Sequence, residues 1–192
     1  MMIETNKLIS ELTELTRQNI ESVERMLPLP MDELNWRKDP TSWSVLECIS
    51  HLNRYSDFYI PEIKLAVNKN KFPSDAIFYP GRLGNYFTNA IRVKGALRKM
   101  KTLKSMDPIG STLSKGTLTQ FILDQKQLLM LLEDAEEVNL NKTKTAISVS
   151  TLLKLKLGDT LRFVVYHNER HILQAFKVLE LQKSKVVLEN AI

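Results

Sequence analysis

The sequence predicts an all-α fold, an antiparallel bundle of four long helices with one long basic excursion between the second and third. Three observations carry that prediction. Apolar residues recur at three- and four-residue steps in four separate segments. Pro and Gly gather between those segments, and ten of the 27 basic residues fall within residues 64–104. The length, 192 residues, suits one domain over 1–192 with a core of its own. With 43% hydrophobic and 26% charged residues the balance is globular, which excludes a disordered or collagen-like chain.

The first helix is read from Leu8, Leu12, Leu15, Val23 and Leu27, and Pro28 and Pro30 stop it. A loop carrying Trp36 runs to Pro40. The second helix starts at Ser44-Val45-Leu46-Glu47, a capping box in which hydroxyl and carboxylate each satisfy an otherwise unpaired backbone N–H. Val45, Cys48, Ile49, Leu52, Tyr55, Tyr59 and Ile63 continue it as an apolar stripe, and Pro61 predicts a kink or an early end. Residues 64–104 then hold ten Lys/Arg against one acid, Asp75, a local charge of +9 in a chain whose total is +5. Pro73, Pro80, Gly81, Gly84 and Gly95 make this segment a long excursion with one short helix around 83–94. The insert is taken as about 64–117.

Leu118, Phe121, Ile122, Gln125, Leu128, Leu129 and Leu132 mark the third helix. Val138 to Val149 reads as loop or short strand, and Thr151 to Leu157 as a short helix. Gly158-Asp159 breaks the chain, with Asp159 as a natural N-cap, and the last helix runs from about Thr160 to about Leu181. One Cys cannot form an intramolecular disulfide, no apolar run approaches the roughly 20 residues of a membrane span, and no secretory leader is visible. These point to a cytoplasmic chain with no membrane partner.

The three histidines carry most of the functional information. His167 and His171 are four apart, roughly 40° around the helix axis, so both rings point one way, beside Phe163, Val164 and Val178. Two imidazoles so placed can grip one ion at about 2.0–2.1 Å. The spacing alone equally admits core histidines bonded to carbonyls, or solvated ones. His51 lies at the edge of the second helix's stripe, flanked by Glu47, Tyr55 and Phe58. Three neutral imidazoles buried together would be poorly satisfied without an ion.

The stretch Thr41-Ser42-Trp43-Ser44-Val45-Leu46-Glu47-Cys48-Ile49-Ser50-His51-Leu52 is similar to the second-helix signature of the DinB-like (YfiT-like) superfamily. His167-Asn168-Glu169-Arg170-His171-Ile172-Leu173-Gln174 resembles its last-helix signature. Gly84-Asn85-Tyr86-Phe87 and Lys99-Met100-Lys101-Thr102 look typical of a branch with a long basic insert. The resemblance covers about Met1 to Leu181. It implies an up-down-down-up four-helix bundle, often a homodimer, holding a divalent metal, commonly nickel or zinc, on His51, His167 and His171.

Three protein ligands leave a coordination position open, as catalytic sites do. An ion there would act on a water, a thiolate or a carbonyl as a Lewis acid. Glu47 and Tyr55, one turn either side of His51, are candidate proton carriers or orienting groups, and Arg170 could meet an anionic substrate. Helix capping, core packing and a surface ion pair are the alternatives for these three, and Cys48 reads as a packing residue. Some members that the chain resembles are thiol transferases using a low-molecular-weight thiol, one branch is similar to maleylpyruvate isomerases, and many are called metal-dependent hydrolases. The expected function is thus a metal-dependent enzyme, hydrolase or thiol transferase, acting on a small molecule. The alternative is a binding module in which the basic 64–104 segment, with Phe72, Phe78, Tyr79, Tyr86 and Phe87, holds nucleic acid or another polyanion over a structural or vestigial metal site. Under the first reading nucleic acid is not an expected partner.

Overall fold

The computed structural model describes residues 2–95, 97 and 100–189, without the side chains of Thr151 and 186–189. Arg98 and Lys99 of the basic segment lie outside the described residues. Four long helices pack together: α1 (Thr5–Glu24), α3 (Val45–Asn68), α5 (Gly116–Asp134) and α6 (Leu157–Glu189). Helix α3 packs on α5 and α6, and α1 packs on the same two, so the order around the bundle is α1, α5, α3, α6.

Each helix forms where the apolar stripe requires it. Leu8, Ile9, Leu12, Ile20 and Val23 line the buried side of α1. Helix α3 opens with the expected capping box: Glu47 N–H donates to Ser44 Oγ, and Ser44 N–H donates to the Glu47 carboxylate. It does not end at Pro61 but runs on to Asn68. A proline inside a helix costs about 3 kcal/mol. Here the residues beside it, Ile60 and Ile63, are buried in the core, and that burial offsets the lost backbone bond.

Three further expectations are corrected. The segment after Pro30 is not all loop, because Met31–Asn35 forms a short helix, α2, with Asp32 and Glu33 in its first turn and Leu34 buried. Residues 151–157 do not form a short helix. They belong to an antiparallel hairpin, β3 (Lys144–Ile147) with β4 (Ser150–Lys156), whose inward face buries Thr145 and Leu155. Helix α6 continues directly from β4, so Asp159 lies inside its first turn rather than capping it, accepting from Gly81 N–H at 2.8 Å and from Arg162 at 3.3 Å.

The excursion after α3 ties back to the bundle. Its strand β2 (Ile77–Phe78) pairs with β1 (Ile3–Glu4), and its helix α4 (Arg82–Ile91) packs on α6. Two glycines permit this. A Cβ on Gly84 would sit 2.3 Å from Asp159 Cγ, and one on Gly158 would sit 2.6 Å from Phe78 Cε2.

The core is divided. One apolar cluster holds Leu8, Leu12, Ile63, Leu132, Leu161 and Val165, and the other holds Val23, Ile49, Leu52, Phe121, Ile172 and Ala175. Between them every long helix places buried polar groups at the same level: Thr16 and Asn19 on α1, His51 on α3, Asp124 and Gln125 on α5, and His167, Asn168 and His171 on α6. Asn168 Nδ2 donates to Gln125 Oε1 at 2.8 Å, a bond between opposite corners of the bundle.

Candidate metal centre

The histidines lie in this polar layer. His51 sits two turns into α3, fixed by the capped helix start. His167 and His171 sit mid-way along α6, one turn apart. One ring nitrogen from each of the three lies within 4.8 Å of the others, and all three residues are buried. His51 Nε2 and His167 Nε2 are 3.3 Å apart. Two nitrogens bound tetrahedrally at 2.0–2.1 Å would be separated by roughly 3.3–3.4 Å, so this spacing already fits one ion.

The outer nitrogens fix the tautomers. His51 Nδ1–H donates to the Met106 carbonyl at 2.7 Å, and His171 Nδ1–H donates to Gln174 Oε1 at 3.0 Å. A carbonyl oxygen only accepts, so the proton of neutral His51 is on Nδ1 and its Nε2 carries a lone pair. The same holds for His171. These are the arrangements that orient metal-binding histidines.

Burial supplies the electrostatics. It pushes the His51 pKa down to about 4, against the partial support of the Met106 carbonyl, and that of His171 down to about 3. His167 is held well below its ordinary value, first by burial and then by its two histidine neighbours. All three rings are therefore neutral near pH 7, the state in which an imidazole can bind an ion.

Aromatic rings pack around the cluster. Trp43 packs on His51 and His171 at 4.8 and 5.7 Å between ring centres, Tyr55 packs on His51 and His167 at 4.9 and 4.4 Å, and Phe163 stacks on His167 at 5.4 Å. Trp43 Nε1–H donates to Asp107 at 3.1 Å, and Arg54 donates to the Asp107 carbonyl at 2.8 Å. The segment carrying Met106 is thereby fastened over His51. Sequence reasoning missed Met106 and Trp43. Trp43 precedes the N-cap and was open to notice; the carbonyl of Met106 has no side-chain signature.

The three other candidates are placed differently from one another. Tyr55 lies against the cluster, and burial raises its hydroxyl pKa to about 12, so it remains a phenol. Glu47 is fully buried and its carboxylate is engaged away from the rings, accepting from Arg37 at 2.6 and 2.8 Å and from Gly110 N–H at 2.7 Å. Arg170 is buried and donates to the Ile91 carbonyl at 3.4 Å, at the end of α4. Cys48 is buried in the apolar core, and burial pushes its thiol pKa up, as a packing residue requires. Of the aromatics in the basic segment, Phe78 is fully buried against Gly158 and cannot stack on a base, whereas Phe72, Tyr79 and Tyr86 are exposed.

Residues 12–175 match the family model of the DinB superfamily. The chain belongs to the DinB superfamily. The matched span runs from α1 into α6 and includes all three histidines, so the DinB match and the buried cluster coincide. No curated protein and no solved structure matches the chain. This DinB superfamily member has a buried cluster of three histidines that could hold a metal ion, and among the described residues no helix is long and apolar enough to cross a membrane.

Proposed function

We propose that this DinB protein is a metal-dependent enzyme acting on a small molecule, of the hydrolase or thiol-transferase class, with His51, His167 and His171 as the ligands of one divalent ion. The observation that carries this is the convergence of three neutral ring nitrogens, two of them oriented through their outer N–H groups by Met106 and Gln174. Imidazole ligands suit nickel or zinc, with zinc or nickel the expected cofactor. The ion would supply Lewis acidity to a water, a carbonyl or a thiol from a low-molecular-weight cosubstrate.

The chain's own groups have separate tasks on this reading. The three histidines leave part of the ion's surroundings for substrate, while Trp43, Tyr55 and Phe163 keep the site dry and so strengthen its electrostatics. Tyr55, protonated and against two of the rings, is the candidate proton donor. Arg170, buried with one N–H on the Ile91 carbonyl, is the candidate contact for an anionic substrate. Glu47 serves the site by holding the start of α3 and Gly110 in place. The same reading takes the chain as one up-down-down-up domain with an insert at about 64–117, a homodimer working in the cytoplasm.

Metal analysis of the purified protein beside His171→Ala tests the assignment. About one ion per chain in the parent and loss of at least ten-fold in metal affinity in the variant are expected for a removed ligand. Equal metal content in the two would contradict it. If metal is lost, activity toward thiol cosubstrates and electrophiles, abolished by a chelator, separates the enzyme from a structural metal clip.

A further inference from the structure

A second site lies at the far end of α3. A cleft of about 510 Å³ opens between the last turns of α3 and the hairpin, lined by Leu65, Lys69, Phe72, Lys142, Lys144 and Lys154, with Glu62 at its wall. Lys69 is 18 residues beyond His51, roughly 27 Å along the helix, so this cleft is separate from the histidines.

Its charge is unbalanced. Four lysines face one carboxylate, and Glu62 already accepts from Ala146 N–H at 3.1 Å. Among the described residues none of the four lysines forms a salt bridge. The hairpin register adds to the imbalance. Lys144 stands directly opposite Lys156, and Lys154 stands opposite Ala146, so three lysines share the outward face of a two-stranded hairpin. Like charges directly across a sheet destabilise it. Lys156 is drawn off by the Tyr79 carbonyl at 2.6 Å, which leaves Lys144 and Lys154 to the cleft. The C-terminal end of α3 accounts for Lys69, because a cation is favourable there, but not for the lysines of the hairpin side. Part of the lining is apolar: Leu65 and Phe72 are 47% and 44% exposed, and Lys142 Nζ lies 5.4 Å from the Phe72 ring centre. A volume in the range of small-ligand pockets, lysines without salt bridges and an exposed aromatic ring beside them match a ligand with a charged end and an apolar body.

We propose that this cleft binds a phosphate-bearing small molecule of the nucleoside di- or triphosphate class, its phosphates on Lys142, Lys144 and Lys154 and its organic body against Leu65 and Phe72. Calorimetric titration of the full chain with ADP, at low salt and again at higher salt, tests it. Saturable one-to-one binding is expected, weakened at least ten-fold in the Lys142→Gln/Lys154→Gln double variant and unchanged in His171→Ala. The double variant should melt close to the parent without ligand, because both lysines are exposed and neither forms a salt bridge. No saturation by about 1 mM ADP, far above the affinities typical of a built site, overturns the proposal. So does binding that survives the double variant or disappears in His171→Ala, which would put the phosphate elsewhere. A short single-stranded oligonucleotide that binds at least ten-fold tighter than ADP, with the lysine dependence intact, overturns it in favour of nucleic acid.

Discussion

His51 enters its cluster with one ring nitrogen committed to a backbone carbonyl, and His171 with one committed to an amide side chain. Such partners cost about ten- to a hundred-fold in metal affinity when removed. Gln174→Leu should therefore weaken metal binding by that factor in a competition titration, and Gln174→Glu, which keeps an acceptor, should restore it. Unchanged affinity in Gln174→Leu would show that the ring needs no such support. Glu47→Ala should behave differently. It removes the capping box and leaves Arg37 and Gly110 N–H without their acceptor, a loss of about 2–4 kcal/mol in unfolding free energy measured by denaturant. At this scale the sequence was informative where chemistry rests on side chains in regular helices. The spacing of His167 and His171 follows from the helix repeat, and the position of His51 follows from the Ser44 cap. The carbonyl of Met106 was illegible because any residue type has one, and its placement depends on an irregular segment 55 residues away from His51.

Helices and strands meet at a few close approaches that can be tested one at a time. Gly158→Ala would press a methyl group into the Phe78 ring and should cost about 1–3 kcal/mol, read as a lower melting temperature. Asn168→Leu should cost a similar 1–3 kcal/mol by stranding the fully buried Gln125 oxygen, without altering metal content. The four long helices were legible because each repeats apolar residues at helical steps on both sides of the polar layer. The hairpin was not. Leu152, Leu153 and Leu155 read equally as a helical face, and it is the packing of Leu155 and Thr145 inward that selects the strand. The early end read at Pro61 failed for a related reason: burial of Ile60 and Ile63 outweighs a local rule.

Across the whole molecule, a polar layer separates two apolar clusters, and the histidines occupy one part of that layer. This couples the site to stability. In metal-free protein His51 and His171 take up protons only near pH 4 and 3, whereas the unfolded chain takes them up near 6.5. Between those values the unfolded state binds more protons, so stability is complete above about pH 6.5 and falls as pH drops toward 3. Melting temperatures of the chelated protein from pH 8 to pH 4 should show that decline, and replacing all three histidines by Gln should flatten it. An added divalent ion should raise the melting temperature at pH 7 and lose that effect in acid, where protons compete for the same nitrogens. The most direct measurement is anomalous diffraction at the absorption edge of the ion in metal-loaded crystals. A single peak at about 2.0–2.1 Å from one nitrogen of each of His51, His167 and His171 is the predicted result. A peak elsewhere, or none at these three rings in protein shown to carry metal, would contradict it.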